Sequence, residues 1–396
     1  MTASSPDAAE ASSRRINPLA IAVFAVALSI GALLIWLSFA GDRAPEQAVV
    51  LVLQPPGGDD SEVLLDERGP SPAPRGPAGV IAANSPATAA PGGGPADDAP
   101  AAPGKLQRVG SLPPIPPGTA LSPVPQSGLF EQTAEGGLLP IIAADGRRVV
   151  ASYARPFEPA VGADGQPRPR IAVLIAGLGL NRSFVERALD LLPADISLAF
   201  TPYARDLQPM IAAARADGHE VAIELPMEPF DYPDTDPGPY ALLTGLPAEA
   251  NGKRLDWLLS RATGYFAAVN SQGGRYLSDR RSLAPTLEAL TARGVGFIDM
   301  GEGPRSVTAA LAPADLELAI ADRVIDATGS PRQIDRALAA LEAAALEDGF
   351  AFGVGMALPV TVERIADWAA GLESKGLQLV PASAAFVAGS AAEVSE

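Results

Sequence analysis

Short apolar runs alternate with helical segments along the second half of the chain. Helices with one apolar face separate most of these runs, most clearly at Pro331–Leu346 and Val360–Leu372. Continuous apolar strands between such helices are typical of a parallel sheet with helices packed on its outside. The number of runs favours an α/β fold, a complete or slightly incomplete (β/α) barrel. The runs are Ile171–Ile175, Ile196–Phe200, Val221–Ile223, Phe266–Val269, Val295–Ile298, Leu318–Ile320, Ala351–Val354 and Leu377–Val380.

The N-terminus carries an uncharged, mostly apolar run, Pro18–Ala40. As a helix it would span roughly 34 Å, which is enough to cross the hydrocarbon core of a bilayer. Arg14 and Arg15 precede it, and positive residues favour the cytoplasmic side. We therefore expect a single-pass helix in the inner membrane, residues 18–40, with residues 1–17 in the cytoplasm and the rest periplasmic or extracytoplasmic. The alternative is a cleaved signal peptide, although the run is longer than the apolar region of most signal peptides.

Residues 41–137 are rich in Pro, Gly and Ala and show no sustained period of 3.6 or 2. Such a segment cannot bury enough apolar surface to offset its ordering entropy, which predicts a disordered linker. The expected folded domain follows at residues 138–388, with a short tail at 389–396. Asp145-Gly146, between the apolar stretches Leu138–Ile142 and Val149-Val150, predicts a β-hairpin at the start of the domain.

Composition limits the partners and the chemistry. The net charge of -17 argues against a nucleic-acid partner, which would need a basic face. The chain has no Cys, and His219 is its one histidine, so the imidazole and thiolate ligands of zinc, copper or iron are almost absent. His219 directly precedes an apolar run, which predicts a structural position at the amino end of a strand. Chemistry based on Asp and Glu oxygens remains open.

In (β/α) barrels the working residues lie at the carboxyl ends of the strands. Three interpretations of the polar side chains at these positions stay open. An acidic pair, Glu224 with Glu228 or Asp299, could act on a sugar as in glycosidases. The pocket could be a remnant whose carboxylates pair with arginines such as Arg275, Arg280 or Arg305. It could also bind a glycan without turning it over. The candidate residues are Glu224, Glu228, Asn270, Gln272, Asp299 and Asp326.

Several separated segments resemble one family. Ala199–Tyr203, Leu225–Pro229 and Pro237–Thr244 are similar to segments of the divergent polysaccharide deacetylases and follow one another in the same order along the chain. This family is a branch of the NodB-like carbohydrate esterases with a deformed (β/α) barrel, and the similarity covers about residues 171–385. The resemblance implies a role in carbohydrate metabolism. It also implies deacetylation, which requires a divalent metal to polarise the acetyl group and activate water.

The metal-ligand positions of that family are substituted here. An Asp-Asp pair is replaced by Ala176 and Gly177, and Glu224 stands where members carry a histidine. Three further histidines are replaced by Gln272, Met356 and Leu358. We therefore expect no bound metal and carry over no catalytic residue. The sequence favours a membrane-anchored, non-catalytic envelope protein that binds glycan, including peptidoglycan, or an envelope protein partner. The alternative is an active deacetylase or hydrolase with a histidine-free site.

Overall fold

The computed structural model describes residue 116 and residues 119–386. The predicted membrane helix at 18–40, most of the predicted linker and the tail at 389–396 lie outside the described residues, so these expectations stay predictions. Within the described part, no helix has both the length and the apolar character needed to cross a bilayer.

In the part of the chain that the structure describes, eleven strands form two sheets. β1 and β2 pair antiparallel as a small hairpin, and the other nine form one sheet whose pairs are all parallel. The strands are β1 Phe130–Gln132, β2 Leu138–Pro140, β3 Arg170–Leu178, β4 Ser197–Phe200, β5 Val221–Met227, β6 Ala267–Gln272, β7 Gly296–Asp299, β8 Leu318–Ile320, β9 Arg323–Val324, β10 Phe350–Met356 and β11 Gln378–Val380.

The large sheet has the order β8-β7-β6-β5-β4-β3-β10-β9, and β11 also pairs with β3. It curls into a half-barrel, which confirms the predicted parallel α/β architecture. Each of the eight predicted apolar runs contains or overlaps a strand of this sheet. β9, with two residues, is the strand that the apolar pattern did not predict.

Among residues 119–386, nine α-helices accompany the strands, and six of them contribute Val185, Ile211, Leu255, Leu287, Leu338 and Ile365 to one core. The central strand β3 is buried throughout Ile171–Ile175 because helices cover the sheet. The helices are α1 Val149–Ser152, α2 Arg182–Leu191, α3 Leu207–Ala216, α4 Ala248–Leu259, α5 Gly274–Ser278, α6 Arg280–Ala292, α7 Arg305–Leu311, α8 Pro331–Asp348 and α9 Pro359–Ala369.

The domain begins earlier than the predicted boundary at residue 138. Residues 119–137, assigned above to the linker, pack against the barrel. Leu129 is fully buried, and the backbone N–H of Leu121 donates to the carbonyl of Arg215 at 2.8 Å. We call residues 119–155 the strap. The boundary was misplaced because the strap is anchored by a few single apolar residues rather than by a helical or strand period.

The predicted hairpin around Asp145-Gly146 is also wrong. A turn does form there, with the N–H of Gly146 donating to the carbonyl of Ala143 at 2.9 Å. The residues after it, however, form the short helix α1 instead of a strand. β2 pairs instead with the preceding strand β1. The turn between them is closed by a hydrogen bond of 2.8 Å from the backbone N–H of Thr133 to the carbonyl of Gly137.

Candidate functional site

The parallel sheet brings the predicted polar residues to one end of the half-barrel. Because all of its strands run in the same direction, their carboxyl ends and the loops that follow form a single face. We call this face the mouth and define it by Gly177, Glu224, Gln272 and Met356, which lie on β3, β5, β6 and β10 at or near their carboxyl ends.

Glu224 is the most perturbed carboxyl group at the mouth. Its side chain is 4% exposed, and one oxygen accepts a hydrogen bond from the backbone N–H of Gly177. Burial raises the pKa of Glu224 from 4.5 to about 7, and the Gly177 N–H and the hydroxyl of Ser271 limit the rise. Near neutral pH this carboxyl group is therefore about half protonated, and it can both donate and accept hydrogen bonds.

Glu228 is held by its own chain. The backbone N–H and the hydroxyl of Thr244 both donate to one of its oxygens, the hydroxyl at 2.8 Å. The other oxygen accepts from Nη1 of Arg275 at 3.3 Å. This is the arginine pairing expected for a remnant pocket. The second proposed arginine, Arg305, pairs instead with Asp322, outside the candidate set.

Asn270 is fully buried and ties two strand ends together. Its Nδ2 donates to the carbonyl of Gln272 at 2.7 Å, and its Oδ1 accepts from the backbone N–H of Met300 at 2.8 Å. Each end of the amide thus has a partner within the chain. Asn270 therefore shapes the turn after β6.

The two aspartates at the mouth are engaged in the same way. Asp299 is fully buried and accepts from the N–H of Gly301 at 2.8 Å and from the hydroxyl of Thr308 at 2.7 Å. Asp326 accepts from the N–H of Met356 at 2.9 Å and from the hydroxyl of Thr361 at 2.8 Å. Both carboxylates fix the loops that follow the strands, so neither forms a pair with Glu224.

Gln272 differs from the other candidates because its side chain is exposed. Its backbone has φ of 58°, and in the described part of the chain it is the one residue other than glycine with a positive φ. Left-handed backbone at a residue with a Cβ is unfavourable by roughly 1–2 kcal/mol. Such strain tends to persist where it positions a functional side chain, and here it presents the amide of Gln272 to solvent.

His219 lies at the opposite end of the barrel, directly before β5, as its position in the sequence predicted. It is fully buried, and its Nδ1 donates to the carbonyl of Ile196 at 2.7 Å. Burial lowers its pKa. The imidazole therefore stays neutral at physiological pH and stabilises the amino end of the sheet.

The pattern of the divergent polysaccharide deacetylase family matches residues 173–386. The chain belongs to this family. The resemblance drawn from the separated motifs is thereby confirmed, and the match covers every candidate residue at the mouth.

The chain is also similar to several solved structures. An uncharacterized protein from Agrobacterium tumefaciens C58 is 34% identical, with a TM-score of 0.58, and the match covers 63% of this chain and 99% of that chain. A mutant of the peptidoglycan deacetylase PdaC from Bacillus subtilis is 12% identical over 58% of this chain and 95% of that chain, with a TM-score of 0.34. A mutant CE4 family pseudoenzyme with restored enzymatic activity is 11% identical over 55% and 68%, with a TM-score of 0.32. No curated protein matches.

The residues at the mouth do not fit the divalent metal that divergent polysaccharide deacetylases imply. At the substituted positions, only Glu224 and Gln272 carry a side-chain oxygen. The backbone at Gly177 has φ of +82°, so an aspartate there would be strained. Among the described residues, no three Asp, Glu or His side chains come together as a group that could hold a metal ion.

Two residues of the mouth were not singled out from the sequence. Ser271 contributes a hydroxyl beside Glu224, and Phe230, which follows β5, is 63% exposed. Ser271 could have been found because it lies next to Gln272 in a segment already marked by the resemblance. Phe230 directly follows the Leu225–Pro229 motif and opens a segment rich in Asp and Pro, and an aromatic residue at that position was a usable signal.

Proposed function

We propose that this deacetylase-like domain binds a glycan at its mouth without turning it over. The observation that carries the proposal is Glu224, a buried carboxyl group at the mouth that accepts a hydrogen bond from the backbone N–H of Gly177 and has a pKa of about 7. A group that is half protonated near neutral pH suits sugar hydroxyls, which also act as both donor and acceptor. Gln272 adds an exposed amide on the neighbouring strand, with the same dual capacity.

The engagement of the other carboxylates supports binding rather than deacetylation. Deacetylation in this family needs a metal to polarise the acetyl carbonyl, together with an acid and a base. Glu228, Asp299 and Asp326 each accept two or three hydrogen bonds from other residues of the domain. Using any of them as a metal ligand or a base would break contacts that shape the mouth. Glu224 alone supplies one titrating group where the reaction needs several.

Binding should depend on Glu224 and Gln272. We expect Glu224→Ala or Gln272→Ala to weaken binding of an N-acetylglucosamine tetramer about 3- to 100-fold, because each loses one or two hydrogen bonds worth about 0.5–1.5 kcal/mol. The measurement is ligand-observed NMR titration of the full-length chain, repeated with soluble peptidoglycan glycan fragments.

The matched control is Glu347→Ala, an exposed carboxylate near the end of α8 and away from the mouth. It should bind as the wild type does. Absence of binding to either sugar, or wild-type affinity in the Glu224→Ala variant, would show that the mouth is not a glycan site.

We further propose that the domain is held outside the cytoplasm by the apolar run Pro18–Ala40, as a single-pass inner-membrane protein close to peptidoglycan. Arg14 and Arg15 support this orientation. In spheroplasts, added protease should digest the domain while the membrane stays intact. Protection of the whole chain until the membrane is lysed would contradict this location.

A further inference from the structure

Phe230 is an exposed aromatic side chain on the mouth side of the fold. It follows the carboxyl end of β5, and 63% of its surface is open to solvent. In the described part of the chain, the other large apolar side chains that are exposed are aliphatic or methionine. Burying a phenylalanine side chain is favourable, so an exposed ring forgoes stabilisation that a ligand could recover.

The ring is nevertheless held in one place. It lies against Gly274, the first residue of α5, where an added Cβ would come within 2.6 Å of Cε2 and 2.7 Å of Cδ2. The carbonyl of Phe230 accepts from Nη2 of Arg275 at 3.0 Å, and the same guanidinium pairs with Glu228. Phe230 is therefore supported through its backbone and along the Cδ2–Cε2 side of its ring, which lowers the entropy lost when a ligand packs on the exposed part of the ring.

The same turn presents a polar group beside the ring. Gln272 ends β6 two residues before Gly274, and its side chain is exposed. The ring of Phe230 and the amide of Gln272 thus both lie at the turn formed by residues 272–274. An apolar face next to a donor and acceptor matches a pyranose ring, whose C–H face is apolar and whose edge carries hydroxyls.

We propose that Phe230 is a stacking platform for one pyranose ring of the bound glycan, positioned by Gly274 and Arg275. This inference rests on the proposed glycan binding and assigns one subsite to it. The sugar packs its C–H face on the open side of the ring, and Gln272 hydrogen-bonds to its edge.

The test uses separate variants for the aromatic ring of Phe230 and for Gly274, which positions that ring. Phe230→Ala should weaken binding of the N-acetylglucosamine tetramer to the full-length chain about tenfold, because the sugar loses the apolar surface on which it packs. Phe230→Trp should restore the affinity, and its added indole fluorescence should change as the sugar is titrated. Gly274→Ala should weaken binding although Phe230 is intact, because the new methyl group displaces the ring.

The matched control is Leu346→Ala, which removes an apolar side chain of similar exposure on α8. Its affinity for the sugar should equal that of the wild type.

The outcomes distinguish this subsite from the proposed function as a whole. If the wild type binds and Glu224→Ala weakens binding, but Phe230→Ala and Gly274→Ala bind normally, the platform is wrong and glycan binding stands. If the wild type does not bind, both proposals fail. If Phe230→Ala lowers the melting temperature, its weaker binding could reflect a damaged fold, and the Phe230→Trp variant then tests the platform. Restored affinity with a sugar-dependent fluorescence change supports the platform, and a folded Phe230→Trp variant without either result overturns it.

Discussion

Glu224→Gln is expected to stabilise the protein by about 3 kcal/mol at about pH 8.5 and to have little effect at about pH 4. Burial raises the pKa of Glu224 from 4.5 to about 7 in the folded chain. The unfolded chain therefore loses this proton at lower pH than the folded chain does. The contribution of the group to stability is fully present below pH 4.5 and is lost as the pH rises through 7. Gln removes the ionisation and keeps an oxygen that can accept from the N–H of Gly177.

The measurement is urea unfolding of wild type and variant across this pH range. The difference in unfolding free energy isolates residue 224 because the other titrating groups are common to both proteins. Glu228→Gln is the control, since it removes a charge that Arg275 and Thr244 stabilise, and it should destabilise the protein at about pH 8.5. A Glu224→Gln variant whose stability relative to wild type does not change with pH would mean that the carboxyl group is well solvated.

Arg215→Ala is expected to lower the free energy of unfolding by about 3–5 kcal/mol. Arg215 is 3% exposed and donates to the carbonyls of Tyr153 and Gly264, both at 3.0 Å, and of Ser122 at 3.2 Å. Its guanidinium carbon also lies 4.9 Å from the ring centroid of Tyr153. Burial lowers its pKa to about 10, so it remains a cation at neutral pH. Alanine would leave three carbonyls without their charged donor and detach the strap from the barrel.

Thermal unfolding of the full-length chain, followed by circular dichroism, would measure this loss. Arg182→Ala is the matched control, because Arg182 is exposed and pairs with Glu186 one helical turn away, an interaction worth less than about 0.5 kcal/mol. A loss no larger than that of the control would mean that the strap does not depend on Arg215. In that case packing around Leu121 and Leu129 would have to hold the strap.

The parallel sheet was predictable because most of its strands are buried on both sides. Every strand of this sheet except β9 contains or overlaps a continuous apolar run, and a run such as Ile171–Ile175 has few other ways to bury itself. The strap was not predictable in this way. It is held by single contacts, such as the Arg215 guanidinium on Ser122 and Leu129 in the core, and these leave no period in the sequence.

The position of the mouth at the carboxyl ends of the strands was also predictable. The hydrogen-bond partners and the protonation of its side chains were not. Position at a strand end places Glu224, Asn270 and Asp299 at the mouth equally well. Their roles differ because of partners distant in sequence: Met300 engages Asn270, Thr308 engages Asp299, and burial perturbs Glu224. Such hydrogen bonds depend on loop geometry, which spacing along the sequence does not determine.

The most direct test of glycan binding without deacetylation measures sugar binding and acetate release in the same sample. The full-length chain is incubated with the N-acetylglucosamine tetramer, with and without added Zn²⁺ or Mg²⁺, and NMR follows both the sugar signals and free acetate. We expect the sugar signals to report binding that Glu224→Ala weakens, with no acetate above the protein-free control under either condition. Release of acetate by the wild type, lost in Glu224→Ala, would contradict this account and show that the altered mouth is an active deacetylase site.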